Sequence, residues 1–290
     1  MDKIPNIIIS DPGVDDLIAL RLLQKLTPQV RHALISTFGN VAEKFTAKNA
    51  REFTAISGSS WIVCRGAKAP LQPLERPWAD YYHGSDGIWG EHIRRVEVSA
   101  DKKVEVPGYS EIISLGPLTS VLPLAARGGI KKITLMGGAF SVPGNETEFS
   151  ETNIRFDPDA AAAFFEQNQQ MEIRVVPLDA TNQVFWTKEQ VISIPEKTEI
   201  DAWLKRILLA WFKNYGDKRS MPFYLYDPLA VYSIFYPKNL EWRRSGVKVI
   251  NKGEERGRTI FFEKSLNCQV AIEVPLPDEI SKHIFDLVFG

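Results

Sequence analysis

Ile7-Ile8-Ile9-Ser10-Asp11-Pro12-Gly13-Val14-Asp15-Asp16-Leu17-Ile18-Ala19-Leu20 is the stretch whose reading decides the fold. Its β-branched apolar start reads as a buried parallel strand. Pro12-Gly13 breaks the run, and Leu17, Ile18, Leu20, Leu22, Leu23 and Leu26 then recur as the buried side of a helix. Asp11, Asp15 and Asp16 are thereby crowded into one strand-to-helix turn, the place where open α/β sheets bind ligands. A helix cap needs one acid, not three. Three such carboxylates repel one another unless a cation or tight hydrogen bonding holds them, and hard oxygen donors suit Ca²⁺ or Mg²⁺ better than zinc.

The alternation continues outward. Residues 30–37 read as a second strand ending at Phe38-Gly39-Asn40-Val41, followed by a helix to about Ser57 and a strand at 61–64. Further strands are expected at 112–115, running into Gly116-Pro117-Leu118-Thr119, at 132–136, closing on Gly137-Gly138, and at 172–177. This rhythm predicts right-handed βαβ units in an α/β fold: an open, mostly parallel, doubly wound Rossmann-like sheet flanked by helices. Residues 187–236 read as mostly helical; Trp203, Leu204, Ile207, Leu208, Trp211 and Phe212 at helical spacing imply core or a subunit face. Extra strands at 248–251, 259–263 and 269–273 and a helix from Asp278 complete the C-terminal part. Asp157-Pro158 reads as a helix start, which makes Asp157 structural. The long loop from Gly66 to Gly90, with Tyr81-Tyr82-His83-Gly84 and Trp89, has the character of a functional excursion. No repeat or linker interrupts the chain, so residues 1–290 are expected to form one domain.

A net charge of −1 leaves no basic footprint for nucleic acid and no polybasic membrane patch. No apolar run reaches membrane-spanning length, and the short polar segment Met1 to Asn6 argues against a signal peptide. Cys64 and Cys268 are too few for a disulfide framework, so a reducing, cytoplasmic setting is expected.

Ser10-Asp11-Pro12-Gly13-Val14-Asp15-Asp16 resembles the N-terminal signature of the inosine-uridine-preferring nucleoside hydrolase family. Leu135-Met136-Gly137-Gly138, the run from Gly144-Asn145 to Glu151-Thr152-Asn153, and Tyr226-Asp227-Pro228-Leu229-Ala230 extend the likeness over nearly the whole chain. The resemblance implies hydrolysis of the N-glycosidic bond of ribonucleosides to base and ribose. It implies a Ca²⁺ ion held by Asp11, Asp16, Asp227 and the carbonyl of Leu115. Asp15, Asn40, Asn145, Glu151 and Asn153, with Asp227, would contact the substrate ribose, Met136 would line the base side, and His83 would ride on a flexible lid. A homodimer or homotetramer is also implied.

The residue types fit that chemistry. Cleavage builds positive charge on the sugar ring, which a carboxylate-rich, water-poor pocket stabilises. In that scheme the cation anchors the 2′- and 3′-hydroxyls and acidifies a bound water, whose proton Asp11 takes as general base. Two departures stand out. Ile9 occupies a position where many relatives carry an Asp, and Tyr226 stands where one branch carries an acid-donating histidine. A purine-preferring branch has an aromatic residue there, so Tyr226 is expected to stack on the leaving base, with some bias to purines. The same departures motivate an alternative, a catalytically impaired Ca²⁺- and riboside-binding sensor or scaffold. A Mg²⁺-dependent phosphatase with an aspartyl nucleophile is more distant, since no accompanying Lys or Thr motif is found.

Overall fold

Strand β1 (Ile7–Ser10) is fully buried and passes through the Pro12-Gly13 break into helix α1 (Val14–Leu26). The computed structural model describes residues 7–75, 78–93 and 111–290; Met1 to Asn6, considered above for targeting, lies outside them. The chain continues through β2 (Ala33–Ser36), α2 (Glu43–Ser57), β3 (Ile62–Arg65), a short α3 (Asp80–His83), β4 (Glu111–Ser114), α4 (Leu122–Ala125) and β5 (Lys132–Met136). Helices α5 (Thr152–Phe156) and α6 (Pro158–Gln167) precede β6 (Glu172–Val176) and α7 (Leu178–Thr181). Next come β7 (Phe185–Trp186), α8 (Lys188–Ile192), α9 (Glu199–Trp211), a π-helical turn (Phe212–Gly216), α10 (Asp217–Arg219), β8 (Phe223–Tyr224) and α11 (Tyr226–Phe235). Strands β9 (Glu241–Val249), β10 (Thr259–Phe262) and β11 (Cys268–Glu273) and helix α12 (Pro277–Phe289) follow.

The main sheet has the order β10-β9-β11-β6-β5-β4-β1-β2-β3. Strands β3 to β11 in that order run parallel; β9 is antiparallel to β11, and β10 to β9. The expected α/β architecture, with its helical C-terminal part and added strands, is therefore the one the chain adopts. The chain winds outward from β1 through β2 to β3 and then returns to β4 on the other side of β1. That reversal opens a crevice beyond the carboxyl ends of β1 and β4, the switch point at which such sheets bind ligands.

Strand side chains alternate between faces. Ile8 joins a core with α1, α9, α11 and α12, whereas Ile7 and Ile9 pack with Ile35, Ile112, Ile133 and Phe164 on the other side. Ile9 is completely buried there. It fills core rather than leaving a gap beside Asp11. Trp203, Leu204, Ile207, Leu208 and Trp211 are at most 1 % exposed within the single chain, which assigns the aromatic stripe of α9 to core rather than to a subunit face.

Two elements differ from expectation. Strand β9 starts at Glu241 rather than at 248, because Glu241, Arg243, Arg244 and Gly246 depress the apolar signal while β11 and β10 pair with it on either side. The two-residue ribbon β7–β8 is too short to have a sequence pattern. Among the described residues no helix is long and apolar enough to cross a membrane.

Candidate active site

The acidic turn is tied together by hydrogen bonds from groups that flank it. Asp16 accepts from the Ser10 hydroxyl at 2.6 Å, the Gly13 amide at 3.0 Å and Asn40 Nδ2 at 2.7 Å. Asp16, not Asp15, thus closes the first turn of α1. Asn40, just after β2, also donates from its backbone amide to Asp11 Oδ2 at 2.7 Å and from Nδ2 to the Asp11 carbonyl at 3.0 Å. A Cβ at Gly39 or Gly116 would overlap the Asp11 carboxylate, and one at Gly13 would come within 2.5 Å of His83 Nδ1. These glycines serve close approach.

Asp227 arrives from the first turn of α11. It is not the helix cap, since Leu225 occupies that position; Asp157, by contrast, caps α6 by accepting from the Ala160 amide and also holds Thr119 and Leu71. Carboxylate oxygens of Asp15, Asp16 and Asp227 lie within 4.8 Å of one another, a grouping able to hold a metal ion. The resemblance gave Asp11 that position and Asp15 to the sugar. Here Asp15 joins Asp16 and Asp227 in that grouping, while Asp11 Oδ2 accepts from the Asn40 amide. Burial pushes the carboxyls of Asp11, Asp15, Asp16 and Asp227 upward, with their mutual repulsion adding to it for Asp11, Asp15 and Asp227. Asp11 Oδ1 and Asp15 Oδ1 are buried and have no hydrogen-bond partner among the described residues. A hard cation would satisfy both oxygens and offset the repulsion, so this donor set fits one.

Two of these acids, Asp15 and Asp227, line a cavity of about 250 Å³ together with Asn40, His83, Leu115, Met136, Asn145, Glu151, Asn153 and Tyr226 among others. All the expected site residues except Asp11 and Asp16 line it. Several are braced by the backbone. Glu151 caps α5, accepting from the Asn153, Ile154 and Gly138 amides, and burial still raises its carboxyl to about 7. Asn153 Nδ2 donates to the carbonyls of Leu115 and Met136 at 3.0 and 3.2 Å, and Asn145 Oδ1 accepts from Thr152.

Aromatic side chains of Tyr81, Tyr82, Tyr215 and Tyr226, with Met221, also line the cavity. His83, the residue expected on a lid, is buried. It is 5 % exposed and its Nδ1 accepts from the Val14 amide at 3.1 Å, while burial lowers the imidazole to about 3. Trp89 turns away from the cavity and donates to the Tyr82 carbonyl instead.

The description "Inosine-uridine preferring nucleoside hydrolase" belongs to the family model that matches residues 7–278. The chain belongs to this family of nucleoside hydrolases. Its members are enzymes that hydrolyse N-glycosyl bonds. A probable uridine nucleosidase of rice (Oryza sativa subsp. japonica) is 29 % identical over 275 residues, covering 87 % of this chain and 80 % of its own. The non-specific ribonucleoside hydrolase RihC of Escherichia coli O7:K1 is 28 % identical over 296 residues and 94 % of each chain. In fold, the purine-preferring ribonucleoside hydrolase from Gardnerella vaginalis superposes with a TM-score of 0.87 over 97 % of each chain at 24 % identity.

In this nucleoside hydrolase, two cavity residues escaped the sequence reading altogether. Tyr215 sits on the π-helical turn after α9, with the Arg219 guanidinium 3.9 Å above its ring, and Met221 follows α10. Nothing in their spacing distinguishes them from core aromatics; a π-helical turn is the one local hint of function, and it shows only in coordinates.

Proposed function

We propose that the protein is a Ca²⁺-dependent ribonucleoside N-ribohydrolase with a bias toward purine nucleosides. The observation that carries the reading is the buried acidic cluster with two unpartnered carboxylate oxygens beside a cavity that aromatic side chains also line. That combination suits a ligand with a hydroxylated sugar and a flat base.

Asp11, Asp16, Asp227 and the Leu115 carbonyl would hold the cation, with Asp15 beside them and aimed at the ribose together with Asn40, Asn145, Glu151 and Asn153. When bound, Ca²⁺ supplies charge that grips the sugar hydroxyls and acidifies water. Asp11 takes the proton of the attacking water. As the C1′–N bond lengthens, positive charge spreads over the ribose ring, and the neighbouring carboxylates stabilise it in a water-poor site. Met136 lines the sugar-to-base junction, and Tyr226 stacks on the base with His83 as a neutral wall beside it. The names of the relatives favour turnover over a binding-only role. The enzyme is further proposed to be cytoplasmic, a single domain and a homodimer or homotetramer that feeds nucleoside salvage or catabolism.

Release of free ribose from a panel of purine and pyrimidine nucleosides tests this, with and without chelator and beside Asp11→Ala. Chelator-sensitive release, reduced about 10²- to 10⁴-fold in Asp11→Ala, is expected. Release indifferent to both treatments would remove the cation and Asp11 from the mechanism.

A further inference from the structure

The Tyr82 side chain is a cavity wall with an unexplained polar atom. The residue is 9 % exposed and lies on α3, its ring 4.8 Å from Tyr215, 5.3 Å from Trp211 and 4.7 Å from His83. Its hydroxyl is sealed from solvent and has no hydrogen-bond partner among the described residues. A buried hydroxyl left unpaired is costly, and persists in native proteins where something else uses it.

The reaction needs such a group. When the C1′–N bond breaks, its electron pair goes to the base, which must be stabilised as it departs. A cation and carboxylates stabilise positive charge on the sugar and offer the departing base no hydrogen-bond donor. Among the other lining residues, the Tyr81 hydroxyl donates to Glu146 Oε2 at 2.7 Å, and His83 is neutral with Nδ1 already accepting from Val14. The position before Asp227 holds Tyr226, whose ring stacks on Tyr224 at 5.6 Å. Tyr82 is the tyrosine of that lining whose hydroxyl is buried with no partner among the described residues.

We propose that the Tyr82 hydroxyl donates the hydrogen bond that receives the departing base, a catalytic contact specific to this chain's aromatic wall. The assignment rests on the ribohydrolase reading above. Burial, followed by the neighbouring Tyr226 and Asp15, holds the phenol protonated well above its ordinary range, so it donates a hydrogen bond without yielding its proton. Water supplies the atoms: its hydroxide adds to C1′ and its proton ends on the base, which leaves Tyr82 unchanged after each turnover.

The test compares wild type and Tyr82→Phe on inosine and on 4-nitrophenyl β-D-ribofuranoside, whose nitrophenolate departs without help. The expected result is a drop in kcat of about a hundredfold on inosine and almost none on the nitrophenyl riboside, with an unchanged or higher Tm. Equal activity on inosine, or equal losses on both substrates, would overturn the assignment. Wild type that cleaves neither substrate would instead overturn the ribohydrolase reading, and this contact with it.

Discussion

Asn40 Nδ2 lies 2.7 Å from Asp16 Oδ2, so a residue that follows β2 orients a carboxylate rooted in α1. The same nitrogen holds the Asp11 carbonyl. Asn40→Ala is expected to remove both bonds, destabilising the fold by about 1–3 kcal/mol. Because Asp16 then loses one of its orienting donors, Ca²⁺ affinity should fall about 10- to 100-fold. Calorimetric titration with Ca²⁺ beside thermal unfolding measures both; unchanged affinity would mean that Asn40 acts on the sugar alone.

Tyr226 separates stacking from proton donation. Tyr226→Phe should keep purine turnover near wild type, while Tyr226→Ala loses an aromatic contact of about 0.5–1.5 kcal/mol and raises KM by up to about tenfold. Steady-state kinetics on inosine and uridine distinguish the two roles. An Ala variant that matches wild type on inosine would end the stacking assignment.

Ile9 tests whether this branch could regain the acid many relatives carry. Its side chain is embedded among Ile35, Ile112 and Ile133. Ile9→Asp would bury an unpaired carboxylate, with an expected loss of about 3–5 kcal/mol. Urea unfolding reads it. A stable, active Ile9→Asp variant would show that the neighbouring apolar cluster readily admits a polar group.

His92 predicts a pH dependence remote from the acidic cluster. Its imidazole bridges Asp86 at 3.2 Å and Glu52 at 3.0 Å, with Lys48 near Glu52, and the hydrogen bonds to Asp86 and Glu52 raise it to about 9. A base whose folded pKa exceeds its unfolded value of about 6.5 stabilises fully below that value and loses its contribution as pH rises through about 9. Wild-type Tm should therefore decline between those limits more steeply than that of His92→Gln. Parallel curves for the two proteins would refute the bridge's contribution.

The first βα unit was legible because a β-branched run, a Pro-Gly break and a leucine stripe occupy consecutive residues. Strand β9 was half legible, since charges and a glycine dilute its first residues although partners on both sides hold it. The candidate site divided along similar lines. Acids at a strand end are visible as a cluster, but Asp227-Pro228 looks like any helix start until the structure gives the cap to Leu225. That Asp15 groups with Asp16 and Asp227 is a tertiary fact. Tyr215 lines the cavity from the π-helical turn after α9 and Met221 from the segment after α10, placements that their sequence spacing does not signal.

The acidic cluster joins residues made early in synthesis to one made late. Asp11, Asp15 and Asp16 leave the ribosome with the first strand and helix, whereas Asp227 and α11 follow only after β6 and the helices behind it. Until then the turn lacks the helix that seals it, and its charges face water. Burial of that charge, together with any cation it captures, is therefore acquired by the nearly finished chain and cannot be inherited from the first unit alone.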